Sequence, residues 1–450
     1  MSTQQPLRES DLIFSSASSA LKDALGELKR ANLSIKNRLR SIKEDSEFVT
    51  KVADAFDLPL VANERCGSWY IPPDRKAGSA YFKSTDGHFH QWGFSLRRLN
   101  LQVLDALGKH GGCVIVDSTR RGKSMPDALS KTIPIWITVL NRLIFPDDAE
   151  SHDLRTPLDV VSESEHVQIE SRLGECVEAA RGLKLDLQRL RDKLHNRRIQ
   201  VTWQRPGDTL PERLDGDVSN LIVLCTASNQ TSNETSATSD YVQGAADDPE
   251  SWSHGLDSSC FWSHQEELLS TAEDGLPNLI SKLMAQAKSS SSARSPVLIK
   301  PTGSLWIGDN ASAASPGHDF DIVISCSTKP AASQSTASNH QHVHLACSTG
   351  KIGSRQLRTQ LPKLEQLRST LSPSSKVLLT CESGKDLAVG TALAILCLYI
   401  DEQGALNLQS HGESVNKTMI KQRLSWIMVS MPDASPSRAT LQSVNAFLMG

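Results

Sequence analysis

One segment, VLLTCESGKDLAVGTALAILCLYI (Val377–Ile400), limits the possible folds more than any other. Val377 to Thr380 is a short apolar run that reads as a buried strand. Glu382 to Asp386 is a tight polar loop. The run from Leu387 to Ile400 is nearly all apolar, yet shorter than the roughly 20 residues a bilayer span needs. It is expected to form a long helix from about Asp386, enclosed by protein because it has no polar face. A strand, a tight loop and a buried helix form the unit of a parallel sheet covered on both faces. Strands expected at Phe320–Ser325 and Val343–Ala346, with a helix at Ser354–Leu371, extend that unit into an α/β layer with a mainly parallel sheet.

Further toward the N-terminus the pattern is also α/β. Leu21, Leu25 and Leu28, then Ile35, Leu39 and Ile42, recur at helical spacing and predict an amphipathic helix over roughly Ser16–Phe56. Its other face carries Lys29, Arg30, Lys36, Arg38, Arg40 and Lys43. Val114–Val116 reads as a buried strand, Ala128–Phe145 as a helix interrupted at Pro134, residues 165–199 as a second charged helix, Leu221–Cys225 as another strand, and Gln265–Ala287 as helical. The Ser-rich stretch SSSSARSP places a domain boundary near 290, giving domains 1–290 and 291–450.

Composition removes several classes of function. With 48 Lys+Arg against 51 Asp+Glu, the formal net charge is −3, so any nucleic-acid contact must come from local basic patches. The polar start, MSTQQPLRESDLIF, has no apolar core of a secretion signal, and no membrane association is expected. The 9 Cys are scattered without a C-x-x-C pair, which suggests neither a disulfide framework nor a zinc site. The expected compartment is reducing: the cytoplasm, with the nucleus as the other choice. His340, His342 and His344 alternate on one strand face, but have no acid or Cys nearby to complete a metal site.

Two loops suit anions. In CESGKD a strand ends, backbone N–H groups turn inward and a helix begins, which favours a phosphate. The segment resembles the phosphate loop of Cys-dependent phosphatases through Cys381, Gly384, Lys385, Asp386 and Gly390. The phosphate-clamping Arg of that pattern is Leu387 here. A phosphatase-like fold without phosphatase activity is expected, because that Arg supplies the bidentate contact to the phosphoryl oxygens. The second loop, DSTRRGKSMPD (Asp117–Asp127), sets three cations and three hydroxyls between a strand and a helix. It meets neither the Walker pattern, since Asp117 stands where the first Gly belongs, nor the phosphoribosyltransferase pattern, which has a second acid where Ser118 stands. Aromatics and cations interleave from Tyr81 to Asn100, as a surface stacking on sugars or bases needs. The acidic turn YVQGAADDPE (Tyr241–Glu250) offers carboxylates for a metal or a base.

Taken together, YFKSTDGH with Trp92, Arg97, Arg98 and Asn100, IVDSTRRGKSMPDALSKTIPIW, YVQGAADDPESW, CESGKDLAVG and PSRATLQSVNAFLMG resemble the initiator tRNA phosphoribosyltransferase family, the tRNA 2'-O-ribosylphosphate transferases. One departure is Pro249, where the family pattern has His. The resemblance implies an N-terminal α/β domain particular to the family and a C-terminal domain like the dual-specificity phosphatases. It implies a glycosyltransferase that moves a 5-phosphoribosyl group from phosphoribosyl pyrophosphate, with Mg²⁺ on the donor, to the ribose 2'-hydroxyl of a T-stem adenosine, position 64, of initiator tRNA. No organic cofactor and no protein partner are implied. The expected catalytic residues are Asp117, Asp127 and Asp386. The expected substrate contacts are Lys83, Asp86, His88, Ser118, Thr119, Arg120, Arg121, Gly122, Lys123, Lys131, Cys381, Ser383, Gly384, Lys385 and Gly390. Arg38, Arg40, Arg97 and Arg98 are the expected tRNA contacts, with Arg189–Arg198 as a further basic stretch. The competing reading is a catalytically inert, phosphatase-like binder of RNA or phospho-ligands.

Overall fold

The structure is a computed structural model, described here for residues 33–84, 91–119, 122–210, 219–228, 240–290, 295–312, 320–329, 341–408 and 415–450. The expected contacts Asp86, His88, Arg120 and Arg121 lie outside these residues, as do His340, Lys29 and Arg30.

Two five-stranded sheets organise the chain. The first is wholly parallel and contains β1 (Leu60–Asn63), β2 (Lys76–Ala80), β3 (Gly112–Asp117), β4 (Ile199–Gln204) and β5 (Asn220–Thr226), in the order β2-β1-β3-β5-β4. β3 is buried at every position, as its unbroken apolar run requires of a central parallel strand. Helices α1 (Ile35–Phe56), α2 (Val103–His110) and α3 (Ile133–Ile144) contribute to the cores around this sheet. A π turn over Ala128–Thr132 runs without a break into α3, Pro134 sits just after it, and the Leu129 carbonyl in that turn accepts from Trp203 Nε1 at 3.0 Å. The interruption expected at Pro134 takes the form of this π turn within one helical run.

The expected single charged helix over 165–199 is three short ones: α4 (Glu163–Glu170), α5 (Leu173–Arg181) and α6 (Leu187–Lys193). The chain breaks at Ser171–Arg172 and again after Gly182, where Lys184 takes a left-handed φ of 52°. The helical stretch expected over 265–287 likewise divides. After α7 (Ser258–Ser263) come α8 (Gln265–Ser270) and α9 (Leu276–Ser290), with a 3-10 turn over Glu273–Gly275 between the last two. That turn has a purpose for α1: both Glu273 carboxylate oxygens accept from the free N–H groups of Ile35 and Lys36, at 2.8 and 3.0 Å. A carboxylate there answers the positive end of the helix.

The second sheet contains β6 (Val297–Leu298), β7 (Leu305–Asp309), β8 (Ile322–Ser327), β9 (Gln341–Ala346) and β10 (Val377–Cys381), in the order β6-β7-β10-β8-β9. Only β6 runs antiparallel. Helices α10 (Gly350–Gln360), α11 (Leu387–Tyr399), α12 (Lys417–Ser430) and α13 (Arg438–Leu448) complete this half. The helix expected over 354–371 is α10 followed by a 3-10 stretch, Leu361–Ser369. α11 is buried at every residue except Leu398. It packs against β10, α12 and α13, so the all-apolar helix is covered as its composition demands.

His342 and His344 lie on β9. Their rings meet Ser325 Oγ at 3.1 Å and the Ser327 carbonyl at 2.8 Å. Among the described residues no cluster of three metal-ligating side chains occurs, and no helix is long and apolar enough to cross a membrane.

Candidate active site

All five strands of the first sheet are parallel, so their carboxyl ends share one edge. From β1 the chain places β2 on one side and β3 on the other. The loops after β1 and β3 therefore leave the same edge side by side, at the place where an open α/β sheet usually holds its ligand. The last residues of these two strands, Asn63 and Asp117, are fully buried there and joined by a 2.8 Å bond from Asn63 Nδ2 to Asp117 Oδ2.

Asp117 is the hub. Its Oδ1 accepts from the Ser118 N–H at 2.8 Å, from Arg65 Nη2 at 3.1 Å and from Cys66 Sγ at 3.1 Å. The other fork nitrogen of Arg65, Nη1, lies 3.0 Å from Asp247 Oδ1. Arg65 also donates to the Ser118 carbonyl. One guanidinium thus ties the loop after β1, the loop after β3 and the acidic turn together. Burial alone would lower the Arg65 pKa, but Cys66, Asp117 and Asp247 more than reverse this and raise it. Burial first, then the charge of Asp117, pushes the Cys66 thiol well above its ordinary value, so it stays a neutral S–H donor.

Residues flanking the hub fix the loops. Ser118 Oγ donates to Tyr70 Oη at 3.0 Å, and Tyr70 Oη also accepts from the Ala246 N–H at 3.1 Å. Ser228 Oγ accepts from the Thr119 N–H and donates to the Thr119 carbonyl. The side chains expected at Ser118 and Thr119 as substrate contacts are therefore buried inside the protein. Asp117 likewise faces protein donors rather than open space. Asp127 lies between Lys123 Nζ at 3.9 Å and Lys131 Nζ at 3.4 Å, and Lys131 continues to Glu165 at 2.8 Å. Gln243 Nε2 donates to the Lys123 carbonyl, joining the acidic turn to the cationic loop. Gly122 and Lys123 are exposed.

α1 docks the acidic turn. Arg38 Nη1 donates to the Ala245 carbonyl at 2.7 Å, Ser41 Oγ accepts from the Val242 N–H at 2.8 Å, and Asp45 accepts from Tyr241 Oη at 2.8 Å. Arg38 also stacks on Trp252, 5.3 Å from its ring centre. The two expected tRNA contacts thus differ: Arg38 is engaged with Ala245 and Trp252 inside the fold, and Arg40 faces outward. Pro249 begins a 3-10 turn after Asp248, whose φ is 48°. In this chain it is a backbone element of the turn.

Tyr81, Lys83, Arg97, Arg98 and Asn100 surround a cavity of about 630 Å³. Arg98 lies over Tyr81 at 3.5 Å, and burial lowers the Arg98 pKa. Lys83 and Arg97 are exposed. The Lys83 carbonyl accepts from Thr132 Oγ1 at 2.9 Å, which ties this wall to the turn before α3.

In the second sheet, Cys381 ends β10 and is buried, 4.0 Å from Ser383 Oγ. Gly384 has a φ of 69° and sits so close to Gly308 that a Cβ would lie 2.9 Å from its carbonyl carbon. Ser383 is exposed, and Lys385 pairs with Asp433 at 3.1 Å. Leu387, at the clamp position, is buried in the apolar core. Asp386, expected to be catalytic, accepts from the Ser437 N–H at 2.9 Å and from Thr440 Oγ1 at 2.5 Å. It anchors the start of α13. Gly390, expected to touch substrate, lies inside α11, where a Cβ would come within 2.5 Å of Thr440 Cγ2. It is there for helix packing.

A resident divalent cation does not fit the carboxylates of the hub. Mg²⁺ is held through one or two carboxylates with substrate phosphates, whereas the oxygens of Asp117 are surrounded by N–H and S–H donors and Asp247 faces Arg65. Any Mg²⁺ carried on a pyrophosphate donor belongs to the substrate.

The chain thus joins a parallel α/β lobe to a lobe whose phosphatase-like loop carries a buried leucine at the clamp position. Residues 28–285 match the Rit1 N-terminal domain and residues 341–448 the Rit1 DUSP-like domain. The chain is 32% identical to the tRNA A64-2'-O-ribosylphosphate transferase of Saccharomyces cerevisiae over 482 residues, covering 94% of each chain. It is 35% identical to an uncharacterised protein of Schizosaccharomyces pombe, covering 92% of this chain and 94% of that one. The chain belongs to the Rit1 family, and it is a transferase of the glycosyl-transfer type. Similar solved structures include human DUSP28 (12% identity, 35% of this chain and 96% of that chain, TM-score 0.26) and the Yvh1 phosphatase domain of Chaetomium thermophilum (16% identity, 34% and 95%, TM-score 0.27).

Sequence reasoning missed Arg65, Asn63, Cys66 and Tyr70. None sits in a motif, and only the fold brings them to Asp117.

Proposed function

We propose that this enzyme transfers a 5-phosphoribosyl group from phosphoribosyl pyrophosphate to the 2'-hydroxyl of the T-stem adenosine at position 64 of cytosolic initiator tRNA. The bulky anion would mark initiator against elongator tRNA. The observation that carries the reading is the hub at the ends of β1 and β3, where Arg65 links Asp117, Asp247 and the start of the cationic loop. The name of the budding-yeast relative supports the acceptor. The cytoplasm, with the nucleus as the other choice, is the compartment that goes with this substrate, and the division into 1–290 and 291–450 accompanies the reading.

In the reaction the bond from the anomeric carbon to pyrophosphate breaks and a bond to the acceptor 2'-oxygen forms. The acceptor proton leaves with the pyrophosphate. The sugar passes through an oxocarbenium-like state, as in glycoside transfer. Lys123, Lys131 and, from the same loop, Arg120 and Arg121 neutralise the departing pyrophosphate, with backbone groups of Gly122 beside them. Asp127 is poised for the ribose hydroxyls of the donor. Arg65 and Asp117 hold the loops in place, which fixes the in-line approach. Lys83, Arg97 and Arg98 line the acceptor side, and Asp86 and His88, outside the described residues, are kept as expected substrate contacts. The loop of Cys381, Ser383, Gly384 and Lys385 takes a phosphate of the RNA. Mg²⁺ enters with the donor.

The test is incubation with phosphoribosyl pyrophosphate labelled in the ribose and total tRNA. Label in a single tRNA species, on an adenosine 2'-oxygen, is the expected result. Absence of label, with phosphate released from a generic aryl phosphate, would refute the proposal.

A further inference from the structure

The second lobe carries a basic groove that no part of the transfer reaction uses. It runs between α10 and α13 and is lined by Lys351, Arg355, Arg358 and Arg438 together with Ser437 and Gln442. Lys351, Arg355 and Arg358 are spaced i, i+4, i+7, so they share one face of α10. All four cations are exposed. Neither α10 nor α13 contains a single Asp or Glu.

Several cations elsewhere among the described residues are paired internally. Arg198 binds Asp148 and Glu150, Arg205 binds Asp159 and Asp208, and Lys193 binds Asp105. Arg191 lies over the Phe145 ring. The Arg189–Arg198 stretch, which the sequence offered as an RNA contact, is thus partly engaged within the fold. The four groove cations have no ion-pair partner among the described residues. Like charges at i, i+4 repel, so this arrangement disfavours the isolated protein and favours a bound polyanion.

Geometry fits a nucleic-acid backbone better than a single phosphate. The three α10 cations spread over about 10 Å of helix axis, room for successive phosphates. Arg438 opens α13, where the helix dipole adds positive potential. The groove also meets the phosphate-type loop, since the Ser437 N–H binds Asp386 and the Ser435 N–H binds the Lys385 carbonyl. From the first lobe, Arg98 Nη2 reaches Ser435 Oγ at 3.3 Å. The segment Ser435–Ser437 therefore joins the edge of the groove both to the Cys381–Lys385 loop and to Arg98.

We infer that the α10–α13 groove binds the sugar–phosphate backbone of a double-stranded RNA, and that it holds the acceptor tRNA through a stem while the first lobe acts on it. This rests on the RNA-acceptor reading above. Duplex RNA is recognised through phosphates and shape, which a row of cations without base-reading groups suits.

The experiment compares the full chain with Arg355→Ala/Arg358→Ala and with Arg355→Glu/Arg358→Glu. Binding of tRNA is measured across a salt series, and phosphoribosyl pyrophosphate binding is followed separately by thermal shift. Each lost phosphate contact removes about 0.7–0.9 from the slope of log affinity against log salt. The double Ala variant should lose about 1.4–1.8 in slope, the Glu variant should lose more affinity, and the donor shift should stay as in the wild type. Both substitutions are on exposed positions, and matching melting curves show that the variants are folded. A wild-type slope in folded variants, or no tRNA binding by the wild-type chain, overturns the groove. A reduced slope in variants of a chain that binds tRNA but transfers no label leaves the groove standing and removes the transferase reading instead.

Discussion

At the residue scale the decisive group is Arg65. Its fork faces two carboxylates, Asp117 at 3.1 Å and Asp247 at 3.0 Å, with only a fifth of the side chain exposed. Removing one member of a buried ion network leaves unpaired charge, so Arg65→Ala should lower stability by about 3–5 kcal/mol, read from denaturant unfolding. A loss below about 1 kcal/mol would show that solvent takes over the role of the guanidinium, as at an exposed pair. Arg65→Lys keeps the charge but not the planar fork. It should fold and yet lose transfer by about tenfold or more, the effect of one charge-assisted contact. Cys66 gives an independent check. Its thiol is buried and raised well above the ordinary value, so at neutral pH it should resist iodoacetamide in the native protein and react only on unfolding. Rapid native labelling of Cys66 would mean that the hub is open to solvent. None of these residues carries a sequence signal. Arg65 lies 52 positions before Asp117, and only the parallel pairing of β1 with β3 makes them neighbours.

At the element scale, legibility followed burial. β3 and β10 stood out because central parallel strands are apolar at every position, and α11 because it is enclosed. β1 and β2, four and five residues long, and β4, half-exposed along its length, gave no comparable pattern. The charged helix broke into three because Gly182 and Lys184 turn the chain, a local event that the leucine stripe concealed. The phosphatase-like motif was legible as a loop, but the roles within it were not. Gly390 matched the motif and serves packing instead, since Thr440 Cγ2 occupies the space a Cβ would need. Gly390→Ala should therefore destabilise by about 1–3 kcal/mol through overpacking, while transfer per folded molecule stays unchanged. A drop in transfer at full stability would return Gly390 to the site. α1 was likewise legible as an amphipathic helix, yet Arg38 turns inward to Ala245 and Trp252. Arg38→Ala should raise the donor concentration needed for transfer and leave the salt slope of tRNA binding intact. The reverse pattern would make Arg38 an RNA contact.

At the scale of the whole molecule, the described residues form two α/β lobes. The first carries the Arg65 hub at strand ends with a cationic loop; the second keeps the frame of a phosphatase with the clamp replaced by Leu387. A net charge of −3 spread over such a chain hides how polar its surfaces are, which is why the basic groove on α10 and α13 escaped notice in the sequence. The central claim is that transfer occurs in the first lobe and that no covalent phosphocysteine forms in the second. Single-turnover transfer from labelled phosphoribosyl pyrophosphate, run side by side for Arg65→Lys and Cys381→Ser, tests it most directly. The account predicts that Cys381→Ser transfers at close to the wild-type rate while Arg65→Lys falls about tenfold or more. Abolished transfer in a folded Cys381→Ser protein that still binds donor, with Arg65→Lys unaffected, would contradict it.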